Sequence, residues 1–164
     1  MIRLPRRPAR YVSLLALTTG VLLAPAAPAS ADDPVADLTC TITVTVAVHP
    51  PLTPQTQHVV TVSNGLTGTA NCTGTVNGET VTGPGQISIM NQLIASCGSA
   101  SGQGEFVLSV PTTSGTATVS GTYTVEGTTL TGDLTGSATV ISVMGDCVTT
   151  PVTQATFAQT VHVT

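Results

Sequence analysis

Beyond its first ten residues the chain has no lysine and no arginine. The four basic residues are Arg3, Arg6, Arg7 and Arg10. The eight acids, Asp32, Asp33, Asp37, Glu79, Glu105, Glu126, Asp133 and Asp146, all lie after residue 31. A polypeptide beginning at residue 32 therefore carries eight negative charges and no positive side chain, with histidines neutral. Such a domain has nothing with which to neutralise nucleic-acid phosphates. It also lacks a basic patch for an anionic membrane surface, and an arginine or lysine to clamp a phosphate or carboxylate substrate. Tryptophan is absent, and past residue 31 the aromatics are Phe106, Tyr123 and Phe157 alone. The core has to be built from Val, Ile, Leu and Ala.

The catalytic and ligand motifs with a recognisable spacing are missing as well. No GxSxG, GxGxxG, P-loop or DxDxDG calcium loop occurs. Histidine is limited to His49, His58 and His162, each readable as a solvated strand residue, although a Ser-His-Asp group can assemble from distant positions. The acids sit mostly beside glycines at turns, an arrangement unlike the facing carboxylates of a glycosidase. No CxxC is present. His49 and His58 flank a proline-rich loop, and with an acid they form the one pair from which a zinc or copper site could be imagined. The expectation is no enzyme, no cofactor and no metal.

The start of the chain has a definite pattern. The four arginines precede an apolar run from Tyr11 to Ala24, and Ala29-Ser30-Ala31 supplies the small residues a signal peptidase reads. Residues 1–31 are read as a secretory signal peptide with cleavage after Ala31. The run is short of the roughly 20 apolar residues a spanning helix needs. Arg6-Arg7 leaves twin-arginine export open beside general secretion. The expected product is secreted and extracellular, without membrane insertion.

The 133 residues from 32 onward suit one domain with one core. A polar lead-in, 32–37, precedes the domain at 38–164. Its four cysteines, Cys40, Cys72, Cys97 and Cys147, read as two disulfides in an oxidising compartment. Three pairings are possible. Cys72–Cys97 with Cys40–Cys147 is favoured, since the first closes a local excursion and the second ties the first strand to the start of the last.

Period-two alternation begins at Thr39. Cys40, Ile42, Val44, Val46 and Val48 point one way and threonines the other, the pattern of a strand with one buried face. HPPLTP is expected to end that strand. A second runs over 57–63 to an Asn64-Gly65 turn, and a third reaches Val76. Asn77-Gly78 between Cys72–Val76 and Glu79–Thr82 is a strong hairpin signal. Gln86–Cys97 reads as an apolar strand bulged near Asn91-Gln92, or as a short helix. GSASGQG (98–104) reads as a flexible loop. Strands are expected at 105–110, 116–125, 128–134, 137–143 and 154–163, the last with Phe157, Val161 and Val163 on one face. The fold class is all-β: one antiparallel β-sandwich or barrel of about 8–10 strands with two disulfides.

A basic start, an Ala/Pro-rich cleavage region, a cysteine opening a Thr/Val strand, a Pro-Pro-Leu loop and a Cys-Thr-Gly…Asn-Gly hairpin occur together. This combination resembles the uncharacterised secreted all-β proteins of high-GC Gram-positive bacteria over most of 38–164. The resemblance implies a secreted β domain and brings no functional residue with it. More loosely, the acidic, Thr/Ala/Gly/Val-rich composition is similar to the neocarzinostatin-type apoproteins, which hold an apolar chromophore in a cleft. That family closes two short cysteine loops, whereas the cysteines here are 32, 25 and 50 residues apart. The functional expectation is a structural or interaction module whose partner is a protein or an envelope component. The alternative is a carrier of a small apolar ligand in the domain interior, and an extracellular enzyme is the least favoured.

Overall fold

The computed structural model describes residues 35–63 and 68–164. The leader, the cleavage position Ala31, the start of the lead-in and the Asn64-Gly65 turn lie outside the described residues. The described residues belong to the compact unit Asp33–Thr164.

Ten strands follow one another, with no helix among the described residues: β1 Ala36–Leu52, β2 Gln57–Val62, β3 Gly68–Val76, β4 Glu79–Thr80, β5 Gly85–Ser96, β6 Ser99–Thr112, β7 Gly115–Glu126, β8 Thr129–Gly132, β9 Leu134–Met144 and β10 Val152–Val163. All pairings are antiparallel. The order β10-β9-β8-β7-β6-β5-β2-β1, together with a β1–β10 pairing, closes the sheet into a ring. β2 and β3 share one place in that ring. Both lie between β1 and β5, as a single returning strand interrupted after Val62. Ser63 patches the interruption: its N–H donates to the Ile89 carbonyl at 3.0 Å and its Oγ accepts from the Ile89 N–H at 2.9 Å.

The alternation read in the sequence is the inside–outside pattern of the barrel. Leu38, Cys40, Ile42, Val44, Val46 and Val48 of β1 are buried; the first five meet Ile87, Phe106, Leu108 and Val161 from the other strands in the main core, and Val48 packs with Val59 and Ala95 in a smaller cluster. The interior also holds polar groups, and among the described residues no fully buried side-chain nitrogen or oxygen lacks a hydrogen-bond partner. Tyr123 Oη donates to Asn91 Oδ1 at 2.6 Å, and Asn91 Nδ2 donates to Thr61 Oγ1 at 2.8 Å. Burial pushes the Tyr123 phenol well above its ordinary pKa, so the hydroxyl stays a donor.

Several expectations are corrected. The disulfides are Cys40–Cys72 and Cys97–Cys147, not Cys72–Cys97 and Cys40–Cys147. The reason is registry. The β2/β3 strand returns along β1 and sets Cys72 directly opposite Cys40, with Cα atoms 4.1 Å apart, close to the narrow, non-hydrogen-bonded kind of antiparallel pair. Cys97 and Cys147 join the β5–β6 turn to the β9–β10 loop, with Cα atoms 6.2 Å apart. β1 does not stop at the prolines. It continues through Pro50 and Pro51 to Leu52, and its register with β10 shifts between Ala47 and Leu52, so the missing N–H groups fall where the ladder is already broken. β5 is neither helical nor bulged, since its register with β6 is unbroken from Gln86 to Ser96.

GSASGQG is not a loop, because β6 begins at Ser99. Its glycines serve close approach. Gly102 has φ +155°, and a Cβ there would run into the Gln92 carbonyl oxygen of β5. A Cβ on Gly104 would run into the Asn91 side chain and the Tyr123 ring. Asn77 and Gly78 form the two-residue turn between β3 and β4, with φ of 53° and 81°, the positive pair of a type I′ turn. β4 is only two residues long, and Val81 then bridges to Thr112.

Candidate functional site

The ring is weakest at β8. That strand has four residues, pairing Tyr123–Glu126 of β7 on one side and only Ser137 and Gly136 of β9 on the other. A strand so short leaves its two longer neighbours uncovered beyond its ends. Among the described residues, β7 has no partner on that side over Thr116–Gly121. β9 has none over Thr139–Met144, after the Ala138 N–H donates to the Thr128 carbonyl at 2.8 Å.

The two free edges differ in chemistry. The β7 edge reads Thr-Ala-Thr-Val-Ser-Gly and points threonines and serine to solvent with Val119 buried. The β9 edge reads Thr-Val-Ile-Ser-Val-Met, and its apolar residues are exposed: Val140 51%, Ile141 56%, Val143 49% and Met144 60%. Val140 and Val143 pair with Phe157 and Ala155, whose places on β10 face inward. They are thus core-type residues on a strand that runs past the cover of the core. The register between Thr156 and Phe157 shifts at Ile141, a bulge that puts apolar side chains on both faces. Natural edges are usually blunted by charge, proline, brevity or a bulge; this one has the bulge at Ile141 but no charged residue between Leu134 and Met144.

The patch continues into the β9–β10 loop, 145–151, where Val148 is 87% exposed. The loop is nonetheless firmly built. Asp146 Oδ1 accepts from the N–H groups of Val148, Thr149 and Thr150 at 2.9, 2.8 and 2.7 Å, and Oδ2 accepts from Thr149 Oγ1 at 2.6 Å. Cys147, with φ +63°, ties the same loop to Cys97. The loop is thus held in one conformation while displaying a bare valine.

Those bonds, led by the Thr149 hydroxyl and followed by the backbone donors, hold the Asp146 carboxyl far below its ordinary value of 3.8. A depressed carboxylate pKa stabilises the folded form above the unfolded value, and the benefit disappears as pH falls through the folded value. The amides of Val148, Thr149 and Thr150 are therefore expected to stay protected from exchange through pH 3.8 and to open only in stronger acid. In Asp146→Ala they should exchange as an unstructured loop at every pH. Two-dimensional NMR with a pH series reads both outcomes.

Other acids that the sequence places at turns have partners too. Glu79 accepts from Thr112 Oγ1 at 2.8 Å and from Ser114 Oγ. These hydroxyls, Ser114 first, lower its pKa and join the β3–β4 turn to the β6–β7 turn. Asp133 Oδ2 accepts from the Thr122 N–H at 2.8 Å, at the tight β8–β9 turn. His162 Nε2 and Asp37 Oδ1 are 3.0 Å apart on an exposed surface of β1 and β10.

A groove of about 720 Å³ lies mainly on the outward side of β2, β5, β6 and β7. Its lining includes His49, His58, Met90, Gln92, Gln103 and Glu105. The two histidines thus share one surface, since His49 is opposite Val60 and His58 lies two residues before Val60 in β2. Among the described residues no group of three His, Cys, Asp or Glu side chains is placed to hold a metal ion. A carrier of an apolar ligand is expected to enclose an apolar cavity, whereas this groove is open and mixed in polarity. No described helix is long and apolar enough to cross a membrane, and the two disulfides fit an oxidising environment.

No family model matches the chain, and neither a curated protein nor a solved structure matches it.

Proposed function

We propose that this chain works outside the cell as a non-enzymatic interaction module, taking an extended polypeptide strand onto the free edge of β9. The observation that carries the reading is the run Thr139–Met144, unpaired on its outer side among the described residues and apolar on both faces. Main-chain hydrogen bonds would supply the affinity of such strand addition, and the exposed side chains its selectivity. The loop with Val148 sits at the end of the edge and adds a fixed apolar contact. The reading also draws on the leader expected at 1–31 and on the disulfides. The absence of lysine and arginine past residue 10 turns it away from nucleic acid and anionic lipid.

Photo-crosslinking from defined positions tests this. A benzophenone side chain at Thr139, on the β9 edge, is expected to capture a polypeptide from the native extracellular medium. The same group at Thr118, on the hydroxyl-lined β7 edge, is expected to capture none. Ile141→Lys should abolish the Thr139 product while leaving the thermal midpoint nearly unchanged, because Ile141 is more than half exposed. Equal capture from both edges, or none from Thr139, contradicts the proposal.

A further inference from the structure

We infer that the strand received by β9 is the β9 of a second copy of this chain, paired antiparallel across a two-fold axis. The inference rests on the reading of β9 as a binding edge and names its occupant.

Charge is the first argument. The domain is acidic and has no cation of its own past residue 10, so two copies repel wherever their acids meet. β9 is the uncharged gap, bounded by Asp133 before it and Asp146 after it. Parallel pairing would set Asp133 beside Asp133 and Asp146 beside Asp146. Antiparallel pairing centred on Thr139–Met144 separates them: Asp146, just past the end of β9, falls near the level of Ser137 of the other copy, and Asp133 lies beyond the end of the other copy's β9. The flanking carboxylates thus forbid one orientation and permit the other.

Side-chain matching is the second argument. In the same register Val140 of one copy stands opposite Val143 of the other, and Val143 opposite Val140. Both valines belong to the inward-facing set, through their partners Phe157 and Ala155. A two-fold axis perpendicular to the sheet keeps that face common to both copies, so the two half-exposed valine pairs cover one another. The window is self-complementary, as an isologous interface has to be. β8 fixes its extent, since it occupies the β9 edge only as far as Ala138.

Size sets the strength. The exposed apolar surface of Val140, Ile141, Val143 and Met144 amounts to a few hundred Å² per copy, which belongs with weak, transient interfaces rather than obligate ones. The expected state is a concentration-dependent monomer–dimer equilibrium.

Sedimentation equilibrium of the secreted chain over a wide concentration series tests this. The wild type is expected to shift from monomer to dimer and to stop there. Ile141→Lys should weaken dimerisation at least about tenfold, since it buries an unpaired charge at the seam. Thr118→Lys, on the other free edge, should leave it unchanged. A wild type that stays monomeric to the solubility limit overturns the inference, and so does a dimer that Ile141→Lys leaves intact. If the chain is monomeric yet a benzophenone at Thr139 still captures a different polypeptide, self-pairing falls and the binding-edge reading stands. If neither dimer nor capture is seen, both fall.

Discussion

Phe106→Ala is expected to destabilise the domain by about 3–5 kcal/mol, a large share of the roughly 5–15 kcal/mol by which such domains are stable. The ring is 2% exposed and is the largest side chain fully inside the barrel. It sits on β6 between Ile89 and Gly121, and it approaches the Tyr123 ring with centroids 6.3 Å apart. Gly121 leaves it room, since a Cβ there would lie 2.9 Å from the Phe106 ring. No other phenylalanine is buried to this degree, and the neighbouring valines and leucines cannot collapse into the space without breaking the strand ladder on both sides. Urea unfolding of the oxidised protein measures the loss. Phe106→Leu should cost well under half as much, because it keeps most of the buried volume. A change below about 1 kcal/mol for the alanine variant would mean that the ring is not the centre of the core.

Removing the Cys40–Cys72 bridge is the second large effect. The bond closes 32 residues of chain, and loop entropy puts its contribution at about 4 kcal/mol. Both sulfurs lie inside the barrel wall, on neighbouring strands at the place where the ring depends on β3. Cys40→Ala with Cys72→Ala should therefore lower global stability by about that amount in urea. The Cys97–Cys147 bond closes a longer stretch, 50 residues, and it anchors a surface loop. By the same loop entropy its removal should lower global stability by a similar amount, about 4 kcal/mol, and should in addition loosen 145–151 locally. Non-reducing digestion checks the connectivity: the peptide containing Cys40 should be recovered joined to the one containing Cys72.

The sequence carried the strands well and their neighbours poorly, for a physical reason. Alternation along Cys40–Val48 is a local consequence of one buried face, and Asn77-Gly78 is a local consequence of positive φ, so both can be read residue by residue. The disulfide pairing cannot. It depends on β2 and β3 continuing one another along β1, and the interruption after Val62 makes them look like two unrelated strands. Gly102 and Gly104 mark close backbone approach to β5 and to Tyr123, but in sequence a run of Gly and Ser reads as a loop. Glu79 is bonded to residues more than thirty positions away, so nothing near it signals a partner.

The β9 edge was hidden in the same way. Val140-Ile141-Ser142-Val143-Met144 reads as an ordinary apolar strand, and only the shortness of β8 leaves it bare. The trace it did leave was an apolar run on both faces with no charge, bracketed by Asp133 and Asp146. The role of Asp146 was visible only as an acid beside a glycine, whereas the structure makes it the organiser of the loop that extends the patch.

Amide hydrogen exchange along β9, in dilute oxidised monomer, tests the central claim most directly. The outward N–H groups of Thr139–Met144 should exchange at rates typical of open edges, while those directed at β10 and the β10 amides between β1 and β9 stay protected. Uniform protection across Thr139–Met144 in the monomer would mean that the edge is already covered, and would contradict the account.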